Sequence, residues 1–241
     1  MRTLRGSVAV ITGASGGIGE AISIALAKEG VRLLLAGRSE EKLDMVAERA
    51  RDLSPGVETF AGDLSEDGAI RALADRAQKA FGGVSILLHS IGLFLAGPIE
   101  TSSVEDLDRQ YRVNTRAPYL LTQALLPSLI AREGQIVFIN SSAGFHPAKA
   151  GWAAYSASKH ALRALADGLR AEVNPKGVRV ISVFPGRTAT PMQEEVHRFE
   201  GKPYDPERFL QPRDVAYAVL NALALPKTAE VTDLHVRPMR G

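Results

Sequence analysis

The sequence predicts an α/β fold, a three-layer, doubly wound parallel sheet of about seven strands with helices on both faces, built as one domain over residues 1–241. Three observations predict it. Short β-branched apolar runs alternate with longer stretches of helical periodicity along the whole chain. The first run is apolar throughout rather than alternating, as a strand buried on both faces should be. No proline-rich or low-complexity linker and no internal repeat divides the chain.

The elements follow in order. Val8–Ile11 is the first strand, bounded by turn residues, and it leads into Thr12-Gly-Ala-Ser-Gly-Gly-Ile-Gly19. Ile18, Ala21, Ile22, Ala25 and Leu26 then share one helical face, and Gly30 is placed to cap the helix end. Residues 31–36 form a second strand, so the glycine turn joins strand to helix within a βαβ unit. Such a turn lets the backbone approach a pyrophosphate, and the helix N-terminus supplies N–H groups and a positive dipole end. At the end of the second strand an acidic residue would bind a ribose diol. Arg38 stands there instead and suits a 2′-phosphate, which favours NADP over NAD. Ser39 either assists or caps the next helix.

Leu43, Val46, Ala47 and Ala50 mark that helix, and residues 57–61 a third strand ending at Asp63. Ile70, Leu73, Ala74, Ala77 and Phe81 line a third helix, and residues 84–89 a fourth strand ending in Ser90-Ile-Gly92. Residues 103–131 read as one long helix with a kink near Asn114, because Pro118 removes a backbone donor. Beside the freed carbonyl, Asn114 could hold a water. Residues 135–140 form a fifth strand ending in Ser141-Ser142. Next comes a helix carrying Tyr155 and Lys159, then a sixth strand over 178–184 ending in Pro185-Gly186. Residues 187–209 show little periodicity and read as a mobile segment over the substrate. A helix over 215–225 and a strand over 231–236 complete the fold.

Composition narrows the function. Apolar residues make up 45% of the chain, enough for a sizeable core. The net charge of +2 is spread without a Lys/Arg run and gives no reason to expect nucleic acid. The absence of cysteine removes disulfides and thiolate metal sites, and no metal is expected. No apolar run reaches the ~20 residues needed to span a bilayer. The N-terminal hexapeptide runs straight into a strand and leaves no room for a signal peptide, so a cytoplasmic protein is expected.

Tyr155 and Lys159 are four apart and share a helix face. A cation beside a phenol favours the phenolate and lowers its pKa, so the pair could exchange protons near neutral pH.

With these residues in view, the chain resembles the short-chain dehydrogenase/reductase family over essentially its whole length, and with it the Rossmann fold. The resemblance rests on Thr12-Gly13-x-x-x-Gly17-x-Gly19, Ser142, Tyr155-x-x-x-Lys159, and Pro185-Gly186 followed by Thr190, with Asn114 and Asp63 at matching places. Ser142 precedes Tyr155 by thirteen residues, the usual family spacing, which favours it over Ser141. The resemblance implies hydride transfer between NADP(H) and a ketone, aldehyde or alcohol. Tyr155 would be the general acid or base and Lys159 its modulator. Ser142 would bind the substrate oxygen, and Asn114 would hold a water linking Lys159 to solvent. Gly13, Ser15, Gly17, Ile18, Gly19, Arg38, Ser39, Asp63, Leu64, Ser90, Gly92, Tyr155, Lys159, Pro185, Gly186, Thr188 and Thr190 would contact the cofactor. A homotetramer or homodimer would pack through the Tyr-bearing helix and its neighbour.

Two stretches depart from the family pattern. His89-Ser-Ile-Gly92 replaces the usual Asn-Asn-Ala-Gly and looks more like enoyl-acyl-carrier reductases, but the Tyr155–Lys159 spacing argues against that activity. His89 itself is expected to pack at the strand end. The C-terminal Leu234–Gly241 lacks the Gly-rich ending common in 3-oxoacyl-carrier reductases, which remain an alternative. Phe94, Leu95, Phe145, His146 and Trp152 are pocket candidates and suggest a partly apolar carbonyl substrate. A nucleotide-binding regulatory protein is the non-enzyme alternative, and it has no need of all four of Asn114, Ser142, Tyr155 and Lys159.

Overall fold

A computed structural model describes residues 3–239. Met1, Arg2, Arg240 and Gly241 lie outside it, and with them the ends of the N-terminal hexapeptide and of the C-terminal stretch discussed above. Seven parallel strands form one sheet in the order β3-β2-β1-β4-β5-β6-β7. They are β1 (Val8–Thr12), β2 (Arg32–Gly37), β3 (Val57–Ala61), β4 (Ile86–His89), β5 (Gln135–Ile139), β6 (Arg179–Pro185) and β7 (Asp233–Val236). The chain builds outward from β1 to β3, crosses back, and builds the other way from β4. The order therefore reverses between β1 and β4, where a crevice opens at the carboxyl ends of the strands.

Among the described residues six α-helices cover the two faces of the sheet. One face carries α1 (Gly17–Lys28), α2 (Glu40–Arg51) and α8 (Pro212–Leu223) over a core that includes Ile11, Ile22, Leu26, Leu35 and Val219. The other carries α3 (Asp67–Phe81), α5 (Ala117–Ala131) and α6 (Ala153–Val173) over Val10, Leu34, Leu87, Leu121 and Leu162. Val10 and Ile11 thus face opposite cores, as neighbours on a strand must. Both are fully buried, which is why β1 reads as an unbroken apolar run. Truncating such a residue to alanine costs about 2–5 kcal/mol.

Gly30 ends α1 as expected, with φ 73° and its N–H on the Ala27 carbonyl. The long helix at 103–131 is α4 (Val104–Tyr111) and α5 joined by a π-helical turn at Arg112–Arg116. The expected kink is this wide turn. It runs directly into α5 and ends two positions before Pro118, whose missing N–H is the α-helical partner of the Asn114 carbonyl.

The segment at 187–209 is more ordered than its lack of periodicity suggests. Thr190 caps α7 (Pro191–Glu200), its hydroxyl accepting from the Gln193 N–H. The Arg187 guanidinium donates twice to the Glu200 carboxylate at 2.7 Å, tying the two ends of the segment together. Ala189 donates to the Leu210 carbonyl and Leu210 to that of Arg187, so the base is closed by strand-like bonds. Among the described residues no helix is long and apolar enough to cross a membrane, and no cluster of His, Asp and Glu could hold a metal ion.

Candidate active site

A cavity of about 690 Å³ opens at the reversal point, within the range typical of ligand sites. At one end is the glycine turn between β1 and α1. Gly13 has φ 68°, and a Cβ there would lie 2.6 Å from the Ser90 carbonyl oxygen. A Cβ on Gly19 would lie 2.2 Å from the Gly13 carbonyl. Glycine is required at both places because backbone meets backbone. Gly17 (φ 56°) abuts Thr190, which brings the start of α1 against the start of α7. Gly13, Ser15, Gly17 and Ile18 line the cavity; Gly19 does not, and serves to pack the helix onto the strand.

Arg38 lines the cavity at the end of β2 and is exposed. Ser39 does not line it. Its hydroxyl accepts from the Lys42 N–H and caps α2, the simpler of its two expected roles. Lys42, one turn into α2, and Arg109 on α4 reach the cavity instead. Sequence reasoning missed both; for Lys42 the signal was its place in the first turn after Arg38, while nothing in the periodicity of α4 marked Arg109. Asp63 faces this cluster. Its carboxyl is held below the usual range, first by the Ser65 backbone N–H, which it accepts at 2.9 Å, and further by Arg38 and Arg109. Leu64 lines the cavity too, and it is buried.

At the other end Tyr155 and Lys159 sit on the first turns of α6, both buried. Lys159 Nζ donates to the Ile139 carbonyl at 3.2 Å and lies 5.9 Å from the Tyr155 ring centre. Burial lowers the Lys159 pKa to about 8. Burial raises that of Tyr155, against the sequence expectation that Lys159 would lower it, because the site withdraws both groups from water. The Ser141 side chain, as a hydrogen-bonding partner of the phenol, pulls it the other way.

The two serines stand side by side at this end. Ser141 is still extended (φ −163°, ψ 154°) and its hydroxyl accepts from the Ala143 N–H, while Ser142 begins a 3-10 turn, Ser142–Gly144. Both line the cavity. Gly144 fixes the turn. A Cβ there would lie 2.4 Å from Asn140 Oδ1 and 2.8 Å from the Lys159 carbonyl, so the 3-10 turn is pressed onto α6 at a fixed point.

A polar frame holds these residues. Asn140 Nδ2 donates to the Lys159 carbonyl at 3.1 Å. Asn114 is fully buried and does not line the cavity. Its Oδ1 accepts from the Leu93 N–H at 2.7 Å, and its Nδ2 donates to the Leu93 carbonyl at 2.8 Å and to Ser158 Oγ at 3.0 Å. Ser158 in turn donates to the Tyr155 carbonyl. The side chain expected to hold a water is thus committed to pinning the loop after β4 against α6. Ser90, Gly92, Pro185, Gly186, Thr188 and Thr190 line the cavity between its two ends. A Cβ on Gly92 would lie 3.8 Å from Lys159 Nζ and 3.5 Å from Met192 Cε.

Phe94, Trp152 and Tyr155 meet edge to face, with centroids 4.9 to 6.1 Å apart, and Met192 and Val196 of α7 close over them. Of the pocket candidates, Phe94, His146 and Trp152 line the cavity. Leu95 and Phe145 do not. Phe145 turns away to pack on Phe184 and His235 under the Arg163 guanidinium. His89 lies behind the site as expected, stacked on Phe138, with Nε2 2.9 Å from the Thr122 hydroxyl.

Known proteins share this fold. The chain is 35% identical to an uncharacterised oxidoreductase of Staphylococcus saprophyticus over 99% of this chain and 100% of that protein. The structure of an alcohol dehydrogenase from the archaeon Thermococcus sibiricus complexed with 5-hydroxy-NADP superposes with a TM-score of 0.86 at 30% identity, covering 98% of this chain and 97% of that one. A metagenomic short-chain oxidoreductase in complex with NADP does so with a TM-score of 0.85 at 34% identity, covering 99% and 100%. The model of the short chain dehydrogenase family matches residues 7–201, and the chain, with its glycine turn and buried Tyr155–Lys159 pair on a seven-stranded parallel sheet, belongs to that family.

Proposed function

We propose that the protein is an NADP(H)-dependent oxidoreductase interconverting a ketone or aldehyde and its alcohol, with Tyr155 as the proton carrier. The observation that carries this reading is that Tyr155 and Lys159, both buried, and Ser142 converge on the same cavity that the glycine turn enters. The residues fit a dinucleotide phosphate. Gly13, Gly17 and Ile18 line the cavity at the start of α1, where a glycine turn lets a pyrophosphate approach the backbone N–H groups. Arg38, Lys42 and Arg109 bring three cations to the adenosine end, with Asp63 as the one carboxylate among them. A 2′-phosphate suits that balance better than a bare ribose diol. The two NADP-bound structures above support the same choice.

The bound nicotinamide supplies or takes up the hydride. The chain's own residues handle orientation and the proton. Tyr155, with its pKa raised by burial, keeps its proton at neutral pH and donates it to the oxygen of a carbonyl. The Ser142 hydroxyl donates to the same oxygen and fixes the carbonyl beside the phenol. Lys159, whose pKa is lowered to about 8, is cationic at pH 7 and stabilises the phenolate that forms. Because the Asn114 side chain is committed, its backbone carbonyl, deprived of an α-helical donor by Pro118, is the acceptor through which a water would reach Lys159. Phe94, Trp152, Met192 and Val196 keep bulk water from the reacting centre.

The homo-oligomer is part of the same reading. Val104, Leu107, Tyr111 and Tyr119 are 45 to 67% exposed along α4 and α5, an apolar stripe suited to a second copy. A cysteine-free chain of this kind suits a cytoplasmic setting. The test is a panel of ketones and aldehydes followed by nicotinamide absorbance. We expect turnover with NADPH at least tenfold above NADH, with Arg38→Asp reversing the order. Equal use of both cofactors by the native protein would refute the role given to Arg38. Ser142→Ala should lower kcat about 100-fold and Ser141→Ala less than fivefold; the opposite ranking would pass the role to Ser141.

A further inference from the structure

Beyond the reaction type, the substrate end of the cavity has a charge that the proposed chemistry does not use. Arg38, Lys42 and Arg109 belong to the adenosine end. Arg187 is held by Glu200, and Lys159 is buried and donates to the Ile139 carbonyl. This leaves Lys149, in the loop between the Ser142–Gly144 turn and α6. It lines the cavity, is exposed, and has its ammonium 5.2 Å from the Trp152 ring centre. No acidic side chain pairs with it among the described residues. Among the described residues Asp63, at the far end, is the one acidic residue lining the cavity.

From this we propose that the substrate is an anionic carbonyl compound, a carboxylate-bearing aldehyde or ketone whose acid group pairs with Lys149 while its carbonyl meets Ser142 and Tyr155. The proposal rests on the oxidoreductase reading for the carbonyl and on Lys149 for the anion. The geometry sets the shape of such a molecule. The Trp152 ring has the ammonium 5.2 Å from its centre and the Tyr155 ring 6.1 Å away, and it is edge-on to Phe94 and to the phenol. A flat apolar spacer of about one ring therefore separates the two functional groups of the substrate. Trp152 also holds Lys149 in place, since an ammonium over an indole face is attracted by the ring quadrupole. An exposed cation at the mouth discriminates modestly and acts most strongly at low salt.

Two measurements test this. The first is kcat/KM for 4-carboxybenzaldehyde against benzaldehyde with NADPH. The native protein should favour the acid about fivefold at low salt. The ratio should persist in Lys149→Arg, fall to about one in Lys149→Gln, and invert in Lys149→Glu. A ratio near one in the native protein, with both aldehydes turned over, would overturn the anion assignment and leave the reductase reading intact. The second needs no turnover. Trp152 is the single tryptophan of the chain, so its fluorescence reports this site alone. With NADP present, 4-(hydroxymethyl)benzoate should give a saturable change in the native protein and in Lys149→Arg. Benzyl alcohol at the same concentrations should give none, nor should the acid with Lys149→Gln. A saturable response without reduction of either aldehyde keeps the anion site and counts against the reductase reading. Equal responses to both probes, or none to the acid, sinks the anion site.

Discussion

At the scale of single residues, burial decides which protonation states are available. His89 is the clearest case. Fully enclosed, its imidazole pKa is lowered to about 3 by desolvation alone. An unfolded chain would bind that proton near 6.5. Between about pH 3 and 6.5 the unfolded state therefore holds more protons than the folded one, so this residue makes stability rise with pH across that window, by up to ~1.4 kcal/mol per unit. His89→Leu should flatten the acid limb of a urea-denaturation profile measured from about pH 4 to 6; an unchanged limb would show that His89 protonates readily in the folded state. Lys159 follows the same logic with the opposite purpose. Burying a group that is charged at pH 7 costs stability, and the residue is kept in the proposed mechanism for its chemistry. Lys159→Met should raise the unfolding temperature at pH 7 while abolishing turnover. A lowered temperature would mean that the bond to the Ile139 carbonyl outweighs desolvation. The sequence showed that Tyr155 and Lys159 share a face. It could not show that the phenol is enclosed by Phe94 and Trp152, because those contacts join three separate segments of the chain.

At the scale of elements, short irregular turns position the site more than the long helices do. The 3-10 turn Ser142–Gly144 and the π turn Arg112–Arg116 both contact α6, and Asn140, Asn114 and Thr115 bond to the stretch from Tyr155 to Lys159. Gly144→Ala places a Cβ against backbone that cannot yield, so we expect it to lower kcat at least tenfold and destabilise the fold by about 2 kcal/mol. Wild-type activity in circular-dichroism-normal protein would contradict this account of the turn. α7 is a second case. Its cap Thr190 and Pro191 were visible in the sequence, but the mixed charges hid the helix because Glu200 pairs with Arg187 rather than with solvent. Glu200→Gln should weaken that tie, raising KM more than it changes kcat, since Met192 and Val196 close over the substrate end.

At the scale of the whole molecule, the topology explains why so much was legible. Each strand is local in sequence, fully buried strands announce themselves as apolar runs, and parallel connections are right-handed, so the order of elements left few alternatives. The glycine turn, the strand ends and the Tyr155 helix then fall at the point where strand order reverses. What escaped the sequence was contact between distant segments: Lys42 and Arg109 beside Arg38, and Lys149 at the mouth. Each depends on how loops cross the carboxyl edge of the sheet, which no local pattern records.

The central claim is that Tyr155 moves the proton in a site that binds its cofactor independently. Tyr155→Phe removes one oxygen from a buried ring and leaves the glycine turn, Arg38 and Lys159 in place. Measured side by side, the variant should bind NADPH within about twofold of the native protein while kcat on any accepted carbonyl falls by about 10³. Turnover retained at the native rate, with cofactor still bound, would contradict the account at its centre.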